Sequence, residues 1–145
     1  MTPERQAVLG AAIAWAEAAA PEGAQVLAIG WSTVELERAE REFGGTFREA
    51  EPDALLGARC RVAHDVIAWP LVVMEPSTEG RLARSLAQLD EGAVAAWYQG
   101  GPGATTLTGA PTTRGPFGPE MLLDGAPLAG PFRFLVAVPP GTITP

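Results

Sequence analysis

Residues 71–98 constrain the fold more than any other part of the sequence. An apolar stretch at 71–74 runs into Glu75-Pro76, a short amphipathic segment follows, and a second apolar stretch begins after Glu91-Gly92 and ends at Tyr98. This pattern predicts two buried strands joined by one helix. We therefore expect an α+β fold in which the stretch links two halves of a sheet.

Composition predicts one domain over residues 1–145, because a chain of this length that is 47% hydrophobic can bury a sizeable core. The net charge of −7 argues against nucleic acid and membrane surfaces as partners. It suits a cationic or neutral ligand, although an acidic surface also serves solubility alone.

The reactive side chains exclude several chemistries. Every basic residue is arginine, so Schiff-base chemistry on lysine and a phosphate loop with its lysine are both excluded. Cys60 is the single cysteine and His64 the single histidine, which excludes intrachain disulfides and multi-cysteine zinc sites. We expect Cys60 to be a buried core residue, and we expect no cofactor.

The N-terminal segment, residues 1–23, predicts an amphipathic helix over 3–20 rather than a secretory signal. Thr2 is the expected N-cap and Pro3 suits the first helical turn, while Glu17 interrupts the apolar run. No apolar stretch is long enough to cross a bilayer, so we expect a cytoplasmic protein. The expected buried face carries Val8, Ala12, Trp15 and Ala19.

Residues 24–76 predict a β-α-β-β-β module. Its elements are a strand at 24–34, a helix at 35–43 and strands near 46–49, 58–66 and 69–75. Leu36, Ala39 and Phe43 share one face of the helix, and Gly44-Gly45 ends it. Such modules leave one sheet face uncovered and commonly occur in pairs.

The remainder predicts a linking helix within 77–91 and a reduced second module over 92–145. Leu82, Leu86 and Leu89 have core spacing in the helix. Residues 100–131 are rich in glycine and proline without helical periodicity, so we expect the second module to lack its helix. Strands are expected near 105–108, 117–123 and 132–138, and we hypothesise that the N-terminal helix covers the bare face.

Three segments carry a resemblance to a known family. They are GWSTVELERA at 30–39, CRVA at 60–63, and residues 72–92 from VVMEP to Glu91-Gly92. The chain resembles the vicinal oxygen chelate superfamily, the glyoxalase and bleomycin-resistance fold, and is most similar to its methylmalonyl-CoA epimerases. The resemblance covers about residues 25–98 and implies paired βαβββ modules, here with an extra N-terminal helix and an incomplete second module.

The resemblance also implies where a metal would be bound. Members that do chemistry typically hold a divalent cation with a histidine on the first strand of each module and a glutamate or glutamine on the last. Those positions fall near Ile29, at Val72 and near Ala95, and the closing strand at 132–138 has no carboxylate. Apolar side chains cannot ligate a hard cation, so we expect a protein with no metal site.

Two residues are candidate general bases. His64 stands beside Asp65, which would orient its imidazole, and Glu75 ends a buried strand, where burial would raise its pKa. Each has a simpler interpretation. His64 is then a surface residue, and Glu75 or Glu79 caps the helix that follows.

Four residues are candidate ligand-binding residues: Trp31, Trp69, Trp97 and Arg133. The aromatic rings would line a cavity in a cupped sheet, and Arg133 would pair with an anionic group. Alternatively, the rings fill the space that ligands occupy elsewhere. Trp97 and Tyr98 must point to opposite faces.

These features favour a metal-free, glyoxalase-like protein that binds or sequesters a small molecule, with a homodimer enclosing a cationic ligand. One alternative is a metal-independent isomerase or lyase that uses Glu75 or His64 as its base. Another is a protein-interaction subunit that docks through its Gly/Pro-rich segment. Whether the protein is an enzyme stays open at this point.

Overall fold

The computed structural model describes residues 1–100, 113–123 and 132–138. The helices are α1 (Pro3–Ala18), α2 (Leu36–Phe43) and α3 (Arg81–Leu89). The strands are β1 (Ala24–Ser32), β2 (Phe47–Glu49), β3 (Ala58–Ala63), β4 (Leu71–Pro76), β5 (Gly92–Gly100), β6 (Thr113–Gly115), β7 (Gly118–Leu122) and β8 (Phe134–Val138). None of the helices in these ranges is long and apolar enough to span a membrane.

The strands form one mixed sheet in the order β2-β3-β4-β1-β5-β8-β7-β6. β1 is parallel to β4 and β5 is parallel to β8, so the two halves have the same strand order. Antiparallel pairing of β1 with β5 joins them, for example Ile29 with Ala96. The predicted α+β class and the first β-α-β-β-β module are therefore confirmed, whereas β6 was not predicted. The strand expected at 105–108 and the expected absence of a helix lie outside the described residues.

The sheet has two buried faces because successive side chains point to opposite sides. The outer face packs under α1 and α2 and carries Ile29, Trp31, Leu71, Val73 and Tyr98. The inner face carries Val72, Met74, Ala95, Trp97 and Val136, and Leu56 and Leu82 pack against it. The expectation that Trp97 and Tyr98 face opposite ways is confirmed.

Helix α1 lies on the outer face against β1 and β5, where the bare face was expected to need cover. Thr2 caps it by accepting a hydrogen bond from the Arg5 backbone at 3.2 Å. The predicted buried face was partly wrong. Ala12 is buried, but Val8 and Trp15 are each 48% exposed, and Leu9 and Ala16 are buried instead. Alanines occur on every side of this helix, so the spacing of its apolar residues does not show which side is buried.

Helix α3 begins at Arg81, later than predicted, because residues 77–80 are held as a turn. The backbone N–H of Ser77 donates to Gly57 O at 2.9 Å, and that of Leu82 donates to Leu56 O at 3.0 Å. Leu82 is buried as expected, but Leu89 is 42% exposed.

The inner face is packed so closely that one glycine is required. A Cβ at Gly30 would lie 2.6 Å from the Trp97 ring and 2.9 Å from Met74 Cε. We expect Gly30→Ala to lower the free energy of unfolding by about 1–3 kcal/mol, because the indole must move within a filled core. Urea denaturation measures the change. Gly92→Ala, at a position with no atom within 4 Å of the new Cβ, is the matched control. Equal stability of the two variants would contradict the packing.

Candidate functional site

The two outer edges of the curled sheet meet each other. The backbone N–H of Ala54, before β3, donates to the Arg114 carbonyl of β6 at 2.9 Å. The Arg114 guanidinium donates two hydrogen bonds to the Glu51 carboxylate, at 2.8 and 3.0 Å. These contacts join the loop after β2 to β6, and β2 and β6 are the two end strands of the sheet. The sheet therefore curls around its inner face and encloses it.

Two carboxyl groups lie at this junction, Asp53 on the first edge and Glu120 on β7. Each residue is only 1% exposed. Asp53 accepts a hydrogen bond from the Leu56 backbone at 2.9 Å, and Glu120 accepts one from the Trp97 indole at 3.1 Å. A Cβ at Gly115 would lie 2.0 Å from Glu120 Oε1 and 2.7 Å from Asp53 Oδ2, so only glycine fits beside the pair.

The Asp53–Glu120 pair holds a proton at neutral pH. Burial, and then the hydrogen bond and charge of Asp53, raise the pKa of Glu120 to about 9. Burial also raises the pKa of Asp53. Asp53 Oδ2 and Glu120 Oε2 receive no hydrogen bond from an N–H or O–H donor in the described part of the chain. One proton shared between the two groups satisfies both oxygens and leaves a single negative charge.

The surroundings of the pair are aromatic and apolar. Trp97 and Phe117 meet edge to face, with ring centroids 5.9 Å apart. Cys60 is buried in the same cluster, as predicted, and burial raises the pKa of its thiol so that it stays neutral. The pair is therefore the polar centre of an otherwise apolar enclosure.

A divalent cation does not fit the positions that the family resemblance implies. Val72 and Ala95 do lie on the inner face, but Ile29 lies on the outer one. The inner positions next to Ile29 are Ala28 and Gly30, which also lack a donor atom. Within the described ranges, no three His, Cys, Asp or Glu residues are grouped as a metal site would need.

Glu75 caps a helix, but not the expected one. Its Oε2 accepts a hydrogen bond from the Leu36 backbone at 3.1 Å, at the start of α2 rather than α3. The Glu91 carboxylate caps the same helix end. It accepts hydrogen bonds from the Val34 backbone at 2.8 Å and from the Thr33 hydroxyl at 3.0 Å. Both carboxylates stabilise the positive end of α2.

His64, the other candidate base, is an exposed residue after β3. The neighbouring Asp65 carboxylate accepts a hydrogen bond from the Thr46 backbone at 2.9 Å, and this bond lowers its pKa. Asp65 therefore holds the start of β2. Glu75 faces the start of α2, whereas His64 lines a surface depression with Val62 and Asp65.

The four candidate ligand-binding residues do not form one site. Trp97 lies on the inner face, whereas Trp31 is buried on the outer face, edge to face with Phe43 at 5.2 Å. Trp69 precedes β4 and lines a shallow depression beside Glu17. Arg133 is exposed and lines another depression with Arg81 and Arg84.

Sequence reasoning missed Asp53 and Glu120. Asp53 lies between the strands predicted near 46–49 and 58–66, where the sequence pattern gives no sign of burial. Glu120 could have been found, because alternation along the predicted strand at 117–123 places it on the same face as the apolar Leu122. A carboxylate in a buried row needs a partner, but that partner is distant in sequence.

The solved structures with this fold include methylmalonyl-CoA epimerases. The complex with methylmalonyl-CoA and NH4+ has a TM-score of 0.57 at 16% identity, over 85% of this chain and 99% of that one. The Mycobacterium tuberculosis epimerase gives 0.56 at 16%, over 79% and 88%. A Streptomyces coelicolor variant with 2-nitronate-propionyl-CoA gives 0.54 at 17%, over 79% and 96%. These likenesses confirm the expected fold, which the chain shares with the solved epimerases. No protein-family model and no curated protein matches the sequence.

The shared proton predicts a pH dependence of stability that Glu120→Gln should weaken. A folded-state pKa near 9, against about 4.5 for an exposed glutamate, means that the stability contributed by this group is fully present below about pH 4.5 and is lost as pH rises through 9. Glutamine keeps a donor for Asp53 without titrating. We expect the wild type to lose at least about 1 kcal/mol more than Glu120→Gln between pH 5 and pH 8.5, or roughly 3 °C in Tm. Thermal melts measure this, with the exposed Glu22→Gln as control. Parallel curves for all three proteins would contradict the shared proton.

Proposed function

We propose that this protein binds a small organic cation without a metal ion, and that the Asp53–Glu120 pair is the recognition centre. The observation that supports this most strongly is a buried carboxyl pair on the inner face of the curled sheet, in which two oxygens receive no hydrogen bond from another described residue and so need either a proton or a cation between them. Binding sites of this kind are mostly apolar, with a few convergent polar groups.

The shared proton lies between the two carboxyl groups, at the position where the cationic group of a ligand would bind. An ammonium or amidinium group can donate to both carboxylates and neutralise the second charge that Glu120 would acquire. Trp97 and Phe117 supply apolar surface beside it for the organic part of the ligand. The net charge of −7 favours the approach of a cation.

Solved structures with this fold include proteins that bind small molecules. Two of the solved epimerases hold CoA derivatives, namely methylmalonyl-CoA and 2-nitronate-propionyl-CoA. For this chain we propose binding rather than catalysis. Its expected bases are separate, since Glu75 is engaged by the Leu36 backbone and His64 is exposed. We propose the metal-free state because Ala28, Gly30, Val72 and Ala95 offer no ligand atoms.

A cation that displaces the proton must release it to the solution. We expect benzamidinium or phenethylammonium to bind at pH 7 with release of about one proton, and to bind more tightly as pH rises towards 9. Isothermal titration calorimetry in two buffers of different ionisation enthalpy measures the release. Because the inner face is closely packed, the two sheet edges must separate to admit the cation, and slow binding is expected.

Variants and a neutral probe separate this site from general attraction to an acidic protein. Asp53→Asn and Glu120→Gln should abolish both binding and proton release, whereas Glu22→Gln should change neither. Benzamide, the neutral analogue, should not bind. Lack of binding by both cations, or binding that persists in both carboxyl variants, would refute the proposal.

A further inference from the structure

We infer that a second site, formed by Arg81, Arg84 and Arg133 around the buried Ser85, binds a small organic oxyanion such as a carboxylate or phosphate ester. The three arginines line one depression of about 180 Å³ between α3 and the start of β8. Phe134 forms part of its wall. The depression differs from the interior carboxyl pair in residues and in sign of charge, so this inference does not depend on the proposed function.

The distribution of arginines supports the site. All ten basic residues of the sequence are arginines, and all lie in the described ranges. Five of them form ion pairs with glutamates: Arg5, Arg38, Arg59, Arg61 and Arg114. Of the other five, three converge on this depression. In a chain with a net charge of −7, this is a local concentration of positive charge.

Two arginines of α3 lie where their charges destabilise the helix when no anion is bound. Arg81 and Arg84 fall at the start of the helix, and its first turn contains no acidic residue. Cations there oppose the helix dipole, and like charges three residues apart repel each other. A bound anion removes both penalties. Arrangements that break a local rule without compensation are expected at functional sites.

Ser85 supplies an independent observation. It is 5% exposed, lines the depression, and its hydroxyl has no hydrogen-bond partner among the described residues. A buried hydroxyl without a partner is costly, and an oxyanion can accept its hydrogen. Guanidinium groups bind carboxylate and phosphate oxygens in paired hydrogen bonds. Phe134 and Leu89 offer apolar surface for the organic part of the ligand.

The depression is large enough for such a ligand. Its volume corresponds to roughly six water molecules, at about 30 Å³ each in the liquid. Phenyl phosphate and benzoate therefore match it in charge and approximate size. They also distinguish a phosphate site from a carboxylate site.

The test is an NMR titration of the full chain with phenyl phosphate, benzoate, inorganic phosphate and benzyl alcohol. We expect saturable shifts of the Ser85 and Gln88 amides with at least one organic anion. Inorganic phosphate should bind more weakly, and neutral benzyl alcohol should not bind. Raising the salt concentration should weaken binding, because the site is exposed.

Three substitutions complete the test. Arg84→Gln and Arg133→Gln should each weaken binding about tenfold through loss of a charge-assisted contact. Arg41→Gln, which removes another exposed arginine without an ion pair among the described residues, should leave binding unchanged. Unaltered thermal melts would show that the variants are folded. No saturable shift with either organic anion, or equal weakening by Arg41→Gln, would overturn the inference. Glu120→Gln should bind the anion normally, so failure of the interior site is recognised separately.

Discussion

The structure depends above all on the contact between the two outer edges of its sheet. Pairing of β1 with β5 joins the halves, but it leaves the far edges free. The Asp53–Glu120 pair, with Gly115 against it and the Trp97 indole donating to Glu120, brings those edges together. The contact requires a proton, since two buried carboxylates in contact cannot both be charged at modest cost. Contact between the two edges, and with it the enclosure of the inner face, therefore depends on protonation of the Asp53–Glu120 pair.

The stretch at 71–98 explains how much of the fold could be predicted from the sequence. Its apolar runs gave β4 and β5, and the amphipathic segment gave α3, because these elements depend on local alternation and periodicity. Two of its three glutamates have a role that local pattern does not reveal. Glu75 and Glu91 both hold the start of α2, which lies far from them in sequence. The buried face of α1 was missed for a related reason, since an alanine-rich helix can pack on more than one side.

The candidate sites were less predictable because each depends on contacts between distant segments. Asp53 and Glu120 are 67 positions apart by number and come from opposite edges of the sheet. Arg133 was recognised as a possible partner for an anion, but its grouping with Arg81 and Arg84 follows only from the packing of α3 beside β8. Net charge alone pointed to cationic ligands. The structure instead separates a buried negative centre from a positive depression on the surface.

Contact between the two edges requires that Glu120 keep its proton, shared with Asp53, at neutral pH. The most direct measurement is the pH titration of the Glu120 side-chain carboxyl carbon by ¹³C NMR in the full chain. We expect this carbon to remain at the shift of a protonated acid through pH 7 and to move only as pH approaches about 9. Titration near pH 4.5, as for an exposed glutamate, would contradict it.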